Sequence, residues 1–398
     1  MGRDVTVPPD TTQRVGRVEG GLIVGRDAVV EADNGDIVVE GVVRCEGDAT
    51  FRGTLKARRL IAKGRFWKGG GNITIAGDLR VSDIEADRRL YVEGTLESSR
   101  VRVGGKLDVR GDTKADTLSV GGKAVLAGRV VSDVIRVGGA LQITGESEVE
   151  VDELSVGGKA TMAGGNIRGH VGVGGAFESR GALRFSEIDV GGKIKLAGGS
   201  EGGSVDVGGK LKVDGDFEFE SIDVGGKVEI DGDASGGGID VGGKLVVRGK
   251  LALRSDVDVG GIVEVKDELA CRHLDVGGSV LSHRILAEGR VDVGGRVKAP
   301  DGVRCQSFEI GRRGKVRGTV VAEEVVISDR ASAEDIYGGS ITLEERAKAN
   351  NLFGESIMLE SRCEVRGKVL YTESVEMEDR VKLSREPEKV AELPKPPL

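Results

Sequence analysis

Apolar and polar residues alternate along most of this chain in short runs, which glycine or charged residues separate. In the stretch from Val207 to Asp223, three apolar pairs follow one another with one residue inside each pair, and the next Val completes the third: Leu211 and Val213, Phe217 and Phe219, Ile222 and Val224. Because successive side chains of a β-strand point to opposite faces, each pair places two side chains on the same face. Three short strands joined by three corners predict an all-β fold, a single-stranded triangular β-helix whose turns, or coils, stack through parallel backbone hydrogen bonds.

The same pattern recurs at a nearly constant spacing, marked by the tripeptide Val-Gly-Gly. Neighbouring copies are mostly 17 residues apart, with single steps of 18 and 19, and Ile310-Gly311 continues the series. A fixed period this short is typical of a solenoid, in which each repeat contacts only its neighbours. A right-handed coil is the expectation, although the pattern does not determine the hand. The tripeptides begin at Val103, Val120, Val137, Val156, Val173, Val190, Val207, Val224, Val241, Val259, Val276 and Val293.

Glycine occupies two kinds of corner in each coil. Gly208 and Gly209 follow the Val, and Gly215 stands at the eighth position after it. The eighth position is glycine in nine successive coils, from Gly111 to Gly249. Since glycine adopts positive φ at little steric cost, we expect a sharp turn at this position. The Gly-Gly pair is interpreted as another corner of the coil. A phosphate-binding loop is the alternative, and the stretch 238–244 has its glycine spacing. Leu245 stands where such a loop requires Ser or Thr, so this match is interpreted as a product of the repeat.

Bulky side chains and glycine alternate at the twelfth position after the Val. The residues there are Phe185, Gly202, Phe219, Gly236 and Leu253 in successive coils. We expect each large side chain to fill the space left by the glycines above and below it, so that the core keeps a uniform density. Phe185, Phe219 and Leu253 are therefore predicted to be core residues.

Two columns of charge accompany the repeat. Asp precedes the Val in seven successive coils from Asp189 to Asp292, and Lys or Arg follows the Val by three positions in many coils from Lys106 to Arg296. Like charges stacked about 4.8 Å apart repel one another, and we expect the neighbouring opposite column to offset this. A ladder of calcium ions is the alternative, but the calcium-binding nonapeptide does not occur in the sequence. No metal and no other cofactor is predicted.

Composition narrows the classes of function. The net charge of −8 argues against a basic stripe for nucleic acid, and aromatic residues make up only 3% of the chain, which offers few platforms for sugars. His170 and His273 are six coils apart, so they do not form one cluster, and no nucleophile elbow or zincin motif occurs. We therefore predict a non-enzymatic protein that does not bind nucleic acid.

The cysteines point to a reducing compartment. Cys271 and Cys305 are 34 residues apart, which corresponds to two coils. At strand spacing this is roughly 9–10 Å, too far for a disulfide. We interpret all four cysteines as reduced core thiols of a cytoplasmic protein. No apolar run approaches the ~20 residues of a membrane helix, and no signal peptide is expected.

The regular repeat is flanked by less regular segments. Residues 1–19 are predicted to form a flexible N-terminal tail. Residues 20–383 are assigned to the β-helix, most regular over 103–310, and residues 384–398, with four of the seven prolines, to a disordered C-terminal tail. About 17 residues per coil would give roughly 21 coils, or a rod on the order of 100 Å long.

An insertion with the only Trp interrupts the strands between Ile61 and Ile75. Its sequence is Phe66-Trp67-Lys68-Gly69-Gly70-Gly71. It is interpreted either as a protruding recognition loop or as an insertion whose rings cover exposed sheet.

The sequence near both ends of the helix is similar to the bactofilins, a family of polymer-forming cytoskeletal proteins. The resemblance lies in the strand-and-glycine pattern of 22–25, 37–41 and 314–327 and in the proline-bearing tails. It implies a triangular β-helix that stacks end to end into nucleotide-free filaments acting as scaffolds, often near membranes. Membrane or protein partners that bind the tails, and a location at the membrane periphery, are also implied.

A second resemblance keeps an enzymatic alternative open. Val207, Val213 and Phe219 are spaced by six, as in the hexapeptide-repeat acyltransferases with left-handed β-helices. The third side of each coil is one residue shorter here, and no His stands in a cleft motif.

The ends of a β-helix have backbone donors and acceptors without partners, which proteins normally cover. Neither end of this sequence has an obvious cap. We therefore predict that the terminal coils mediate end-to-end association between copies, through Leu22, Ile23 and Val24 at one end and Val375, Met377 and Val381 at the other. A β-helical spacer or adhesin that does not polymerise is the alternative.

Overall fold

The computed structural model describes residues 2–63, 71–145 and 149–397. Within these ranges the only regular secondary structure is β-strand, and the strands pair in parallel with partners mostly 17 residues away, as Phe217 with Ala234. The predicted all-β solenoid is confirmed, with about 22 turns. The chain divides into two compact units, Met1–Gly202 and Gly203–Leu398.

The first unit begins with four short strands and two long ones, after which strands of about eight and about four residues alternate. Its strands are β1 Val5–Val7, β2 Thr12–Val15, β3 Arg17–Val18, β4 Leu22–Val24, β5 Ala28–Cys45, β6 Ala49–Ala62, β7 Asn72–Ile75, β8 Leu79–Ala86, β9 Arg89–Val92, β10 Leu96–Val103, β11 Lys106–Val109, β12 Thr113–Val120, β13 Lys123–Leu126, β14 Val130–Val137, β15 Ala140–Ile143, β16 Val149–Val156, β17 Lys159–Met162, β18 Gly165–Val173, β19 Ala176–Ser179, β20 Leu183–Val190 and β21 Lys193–Ala197.

The second unit continues this alternation and ends in coils with several two-residue strands. The strand that contains the unit boundary is β22 Ser200–Val207. After it come β23 Lys210–Asp214, β24 Phe217–Val224, β25 Lys227–Ile230, β26 Ala234–Val241, β27 Lys244–Val247, β28 Leu251–Leu253, β29 Val257–Val259, β30 Ile262–Val265, β31 Glu268–Cys271, β32 Leu274–Val276, β33 Ser279–Leu281, β34 Arg284–Ala287, β35 Arg290–Val293, β36 Arg296–Lys298, β37 Val303–Arg304, β38 Ser307–Ile310, β39 Lys315–Arg317, β40 Val320–Ile327, β41 Asp335–Leu343, β42 Lys348–Ala349, β43 Asn351–Leu359, β44 Glu364–Val365, β45 Val369–Met377, β46 Lys382–Leu383 and β47 Glu388–Lys389.

The core consists of columns of inward side chains, and the representative coil follows the predicted pattern. Its six apolar side chains are all buried: Leu211, Val213, Phe217, Phe219, Ile222 and Val224. Two of the three predicted strands are joined in β24, which runs from one face to the next without a break. Further along, the same two segments are the separate strands β28 and β29.

The Gly-Gly corners depend on close contact between coils. An added Cβ at Gly225 would lie 2.8 Å from the carbonyl oxygen of Gly208, and one at Gly226 would lie 2.3 Å from that of Gly209. Positive φ is not found at Gly208 or Gly209, so close contact between coils, and not a left-handed conformation, accounts for glycine at these corners. Only glycine lets these corners stack directly on one another.

Positive φ does occur at Gly215, as predicted, where φ is 133°. Among the nine glycines at this eighth position, Gly164 is the only other one with positive φ. Elsewhere the same corner is limited by contact, since an added Cβ at Gly232 would lie 2.3 Å from Asp216 Oδ1. The Asp216 carboxylate lies there because Asp216 Oδ1 accepts the backbone N–H of Asp233 in the next coil at 2.8 Å. A side chain at position 232 would collide with this carboxylate, so glycine is required.

Several residues other than glycine adopt the left-handed backbone conformation, and they lie in the coils near the two ends of the chain. Aspartate adopts this conformation near the N-terminus, and in the last coils arginine does so, with φ between 56° and 65°. All of them except Arg380 also donate their backbone N–H to the next coil, as Arg346 does to the carbonyl of Ser361 at 3.1 Å. The positions are Asp10, Asp27, Arg313, Arg330, Arg346, Arg362 and Arg380.

The alternation of bulky residues and glycine is confirmed as a packing device. An added Cβ at Gly202 would lie 2.2 Å from ring atoms of Phe185, and one at Gly236 would lie 2.6 Å from the ring of Phe219. Gly236 pairs in register with Phe219 on one side and with Leu253 on the other. Phe185, Phe219 and Leu253 are all buried, so each large side chain lies in space that a neighbouring glycine leaves free.

The predicted tails contain strands, which corrects their boundaries. Residues 1–19 include β1, β2 and β3, which form a first coil, and residues 384–398 include β47, which pairs with β45. The first coil escaped prediction because Val5–Val7 is only three residues long and directly precedes Pro8 and Pro9. Most of the aromatic insertion at Phe66–Gly71 lies outside the described residues.

Candidate functional site

The N-terminal edge of the first unit is formed by β1, β2 and β3. In the described part of the chain, β1 pairs with β4, and both β2 and β3 pair with β5. Each of these strands therefore has one neighbour there and an outer edge whose backbone groups lack a strand partner. Such edges are templates for pairing with another strand.

The prediction that Leu22, Ile23 and Val24 form this edge was wrong. These residues form β4, which lies between β1 on one side and β5 on the other. Leu22 and Val24 are fully buried. The added first coil covers them, because Val5, Thr6 and Val7 pair with them residue by residue.

Side chains at the N-terminal edge are partly polar. Gln13 pairs in register with Val30 of the next coil. Val30 is buried in the core, whereas Gln13 is half-buried. Val7, Val15 and Val18 of the same first coil remain buried. This end of the core therefore presents a mixture of polar groups and backbone edge.

The C-terminal edge of the second unit is formed mainly by β45. One side of β45 pairs with β43, and on the other side β47 pairs only with Leu370 and Tyr371. The segment from Val375 to Met377 consequently has no strand partner on its outer side among the described residues. The predicted edge residues Val375 and Met377 thus lie on a strand edge that is open among the described residues.

Apolar side chains at this edge are exposed, whereas their equivalents one coil earlier are buried. Met377 is 50% exposed, and Leu359, with which it pairs, is 0% exposed. Val375 is half-buried and pairs with the buried Ile357. The end of the hydrophobic core is therefore open to solvent here.

Two further residues of the last coil extend this apolar end. Val381 and Leu383 are half-buried, and Leu383 pairs with the buried Val365. Leu383 was not among the predicted edge residues, although its apolar-x-apolar spacing from Val381 was the available signal. We call Val375, Met377, Val381 and Leu383 the C-terminal apolar edge.

The lysine column pairs with carboxylates on its own face of the helix. Lys210 and Lys227 each lie 3.0 Å from the carboxylate of Glu229, and Lys244 lies 2.7 Å from Glu264. Hydrogen bonds from Lys227 and Lys210, with a further one from Arg248, lower the pKa of Glu229 to about 2. The partners of these lysines are thus not the aspartates of the neighbouring column.

Four consecutive members of the aspartate column stand in register without this compensation. Asp223, Asp240, Asp258 and Asp275 are consecutive partners in the strand pairing, and none of them forms an ion pair within the described residues. Burial, with repulsion from Asp240 and Asp275, raises the pKa of Asp258 above its ordinary value. The expected offset by the lysine column was wrong, because the Gly-Gly corner places the two columns on different faces.

The residue types that most often form catalytic or metal sites were located within the described ranges. No group of three or more His, Cys, Asp or Glu residues there could hold a metal ion. His273 Nδ1 accepts the backbone N–H of Arg290 at 2.9 Å, and His170 lies 3.5 Å from the carboxylate of Glu187. These histidines contact neighbouring coils and do not approach a nucleophile.

The cysteines are free and buried. Burial raises the pKa of the Cys45, Cys271 and Cys305 thiols to about 12, and that of Cys363 to about 11. The register places Cys271 opposite Ala287, which leaves a full coil between Cys271 and Cys305. Protonated thiols at this separation are inert as nucleophiles and as a disulfide pair.

Neither sequence nor structure comparison assigns the chain to a known group: no protein-family model, no curated protein and no solved structure matches it. The part of the chain that the structure describes contains no helix long and apolar enough to cross a membrane.

Proposed function

We propose that this protein is a structural scaffold whose copies associate end to end through their open strand edges and form filaments without a nucleotide. The observation that carries the proposal is the C-terminal apolar edge, where an unpaired strand edge and the exposed end of a hydrophobic core coincide. Either feature alone is common on protein surfaces, but together they supply both backbone hydrogen bonds and apolar burial to an incoming strand.

A second copy of the chain is the partner that fits this edge. Successive coils of the protein stack through parallel strands with buried apolar side chains, so a terminal coil of another copy would continue the stack in the same way. Met377 and Val375 would then regain the burial that Leu359 and Ile357 have one coil earlier. An association that repeats through two different ends is open and yields a filament.

The proposal also includes the absence of enzymatic activity, the location of the protein in the cell and its partners. A non-enzymatic scaffold agrees with buried, protonated thiols and with histidines that contact only neighbouring coils. Four free cysteines favour the cytoplasm as its location. The segments at the two ends are where membrane or protein partners of an assembled filament would bind.

The experiment is a charge substitution at the edge with a matched control. Met377→Glu combined with Val381→Glu places two carboxylates on the C-terminal apolar edge. Met358→Glu is the control, because Met358 is also an exposed methionine, 40% exposed, but lies in β43 with strand partners on both sides. We expect sedimentation velocity to show large assemblies for the wild type and the control, and single folded copies for the double variant.

Unchanged assembly of the double variant would remove the C-terminal edge from the proposal. Assembly lost equally in the Met358→Glu control would show that the effect is a general consequence of added charge. Circular dichroism of each variant establishes that the β-structure is retained.

A further inference from the structure

A groove of about 600 Å³ lies on the lysine face of the second unit, between β27 and β36. Apolar side chains that point outward contribute to its floor, namely Val246, Leu281 and Pro300, and Lys266 and Lys298 stand at its sides. The groove spans four successive coils, because Val246, Glu264, Leu281 and Lys298 are consecutive register partners.

The groove forms where one outward column loses its cations and one inward column changes to smaller side chains. In the outward column that begins with Lys244, the next members are Ile262, Ser279 and Arg296, so two coils lack the usual cation. In the inward column, Val247 and Val265 are followed by the smaller Ser282 and Ala299. The Ser282 hydroxyl is buried and donates to the carbonyls of Asp267 and Arg284, which draws this corner inward.

Cations around the groove are available for a ligand. Lys266 and Lys298 form no ion pair in the described ranges, and the same holds for Arg296, Lys315 and Arg317 on the adjoining strands β36 and β39. The one carboxylate in the groove, Glu264, is already engaged by Lys244 at 2.7 Å. The surface therefore combines an apolar floor with unneutralised positive charge.

We propose that this groove binds an acidic linear segment of a partner protein, with one aliphatic side chain over Leu281 and carboxylates on Lys266 and Lys298. Three coil spacings cover about 14 Å, which an extended segment of about four or five residues matches. The strands beneath the groove are already paired on both sides, so the segment lies across them and is held by side chains. Charge complementarity of this kind raises association rates and confers specificity.

The test uses a labelled eight-residue peptide, Glu-Glu-Leu-Glu-Glu-Leu-Glu-Glu, with an all-glutamate peptide and a version with lysine in place of glutamate. Fluorescence anisotropy is expected to show binding of the first peptide that weakens as salt is raised. Lys266→Glu with Lys298→Glu is expected to weaken it at least tenfold, and Leu281→Asp is expected to weaken it as well. Lys193→Glu is the control, because Lys193 is an exposed lysine that does not line the groove.

Several results would overturn the proposal. The all-glutamate peptide binding as tightly as the leucine-containing one would show that charge alone is recognised. Equal affinity for the Lys193→Glu and Lys266→Glu/Lys298→Glu variants would place the binding elsewhere. Binding of phosphatidylserine vesicles, unaffected by Leu281→Asp and not displaced by the peptide, would identify a lipid surface as the ligand instead. Filament formation through the ends is measured separately and does not enter these outcomes.

Discussion

Phe219 and Gly236 pack as complementary residues. The ring of Phe219 occupies the volume where a Cβ of Gly236 would be, 2.6 Å from ring carbons, and Phe185 stands in the same relation to Gly202. The large side chain of one coil thus fills the core space that the glycine of the adjacent coil leaves empty. This complementarity replaces the uniform residue size that a strict repeat would otherwise require.

Removing the ring is expected to be costly. Phe219→Ala should lower the free energy of unfolding of the second unit by about 3–5 kcal/mol, because the glycine beneath cannot fill the cavity. Urea denaturation followed by circular dichroism measures the change. Glu218→Ala, at the exposed neighbour, is the control with an expected change within about 0.5 kcal/mol. A Phe219→Ala effect as small as that of the control would contradict the packing account.

Asp256 and Asp258 lie two residues apart and have opposite electrostatic environments. The guanidinium of Arg272 hydrogen bonds to Asp256 at 3.0 Å and lowers its pKa, whereas burial and the neighbouring aspartates raise the pKa of Asp258. A raised pKa in the folded state means that the stabilising protonated form is lost as pH rises through that pKa. A lowered pKa means that the stabilising charged form is lost as pH falls through it.

The two substitutions to asparagine should therefore act in opposite directions. At pH 7 we expect Asp258→Asn to raise the free energy of unfolding and Asp256→Asn to lower it, each by roughly 0.2–1 kcal/mol because both groups are partly exposed. The Asp258→Asn difference should shrink as pH falls through the raised pKa of Asp258, and the Asp256→Asn difference should shrink only below the ordinary Asp pKa of 3.8. Urea midpoints at pH 7 and pH 3 measure this. Two substitutions that shift the pH 7 midpoint in the same direction would contradict the assignment.

At the scale of the structural element, the Gly-Gly corner joins one face of a coil to the next. Corners of successive coils are hydrogen bonded, as Gly242 N–H donates to the carbonyl of Val224 at 3.1 Å, and their α-carbons approach the carbonyl oxygens below. The repeat of these corners keeps the coils in register over the regular part of the chain. The last coils, which lack a Gly-Gly corner, have an arginine in the left-handed conformation at a corner instead.

A methyl group at such a corner should disturb this stacking. Gly226→Ala would place a Cβ 2.3 Å from the carbonyl oxygen of Gly209, and a loss of about 1–3 kcal/mol in the free energy of unfolding is expected. Gly238→Ala is the control, because its Cβ would meet no atom nearer than 3.4 Å. The control should be neutral or stabilising by up to about 1 kcal/mol. Equal effects of the two alanines in urea denaturation would show that corner contact does not decide the residue.

The inward columns could be predicted from the sequence, and the relation between faces could not. Period-two alternation within a 17-residue repeat is sufficient to identify Leu211 and Val213 as buried. The angle through which a corner turns cannot be predicted from residue spacing. The structure was therefore needed to show that the aspartate column and the lysine column lie on different faces. The first coil was missed for another reason: Val5–Val7 is recognisable as a strand only through its pairing with Leu22–Val24.

At the scale of the whole molecule, the N-terminal edge of the first unit and the C-terminal edge of the second unit differ in character. The N-terminal edge combines unpaired strands with the polar Gln13, and the C-terminal edge exposes the apolar side chains of its last coil. No helix covers either edge in the described residues. Solenoids that remain monomeric usually carry a polar cap at each end. These two edges are therefore the basis of the proposal that the protein is a self-assembling scaffold.

Electron microscopy of the purified protein, without added nucleotide, tests that assignment most directly. The account predicts unbranched filaments for the wild type and for Met358→Glu, and dispersed single particles for Met377→Glu/Val381→Glu. Wild-type protein that remains as single particles over a range of concentrations and salt would contradict the account and would favour a β-helical spacer that does not polymerise.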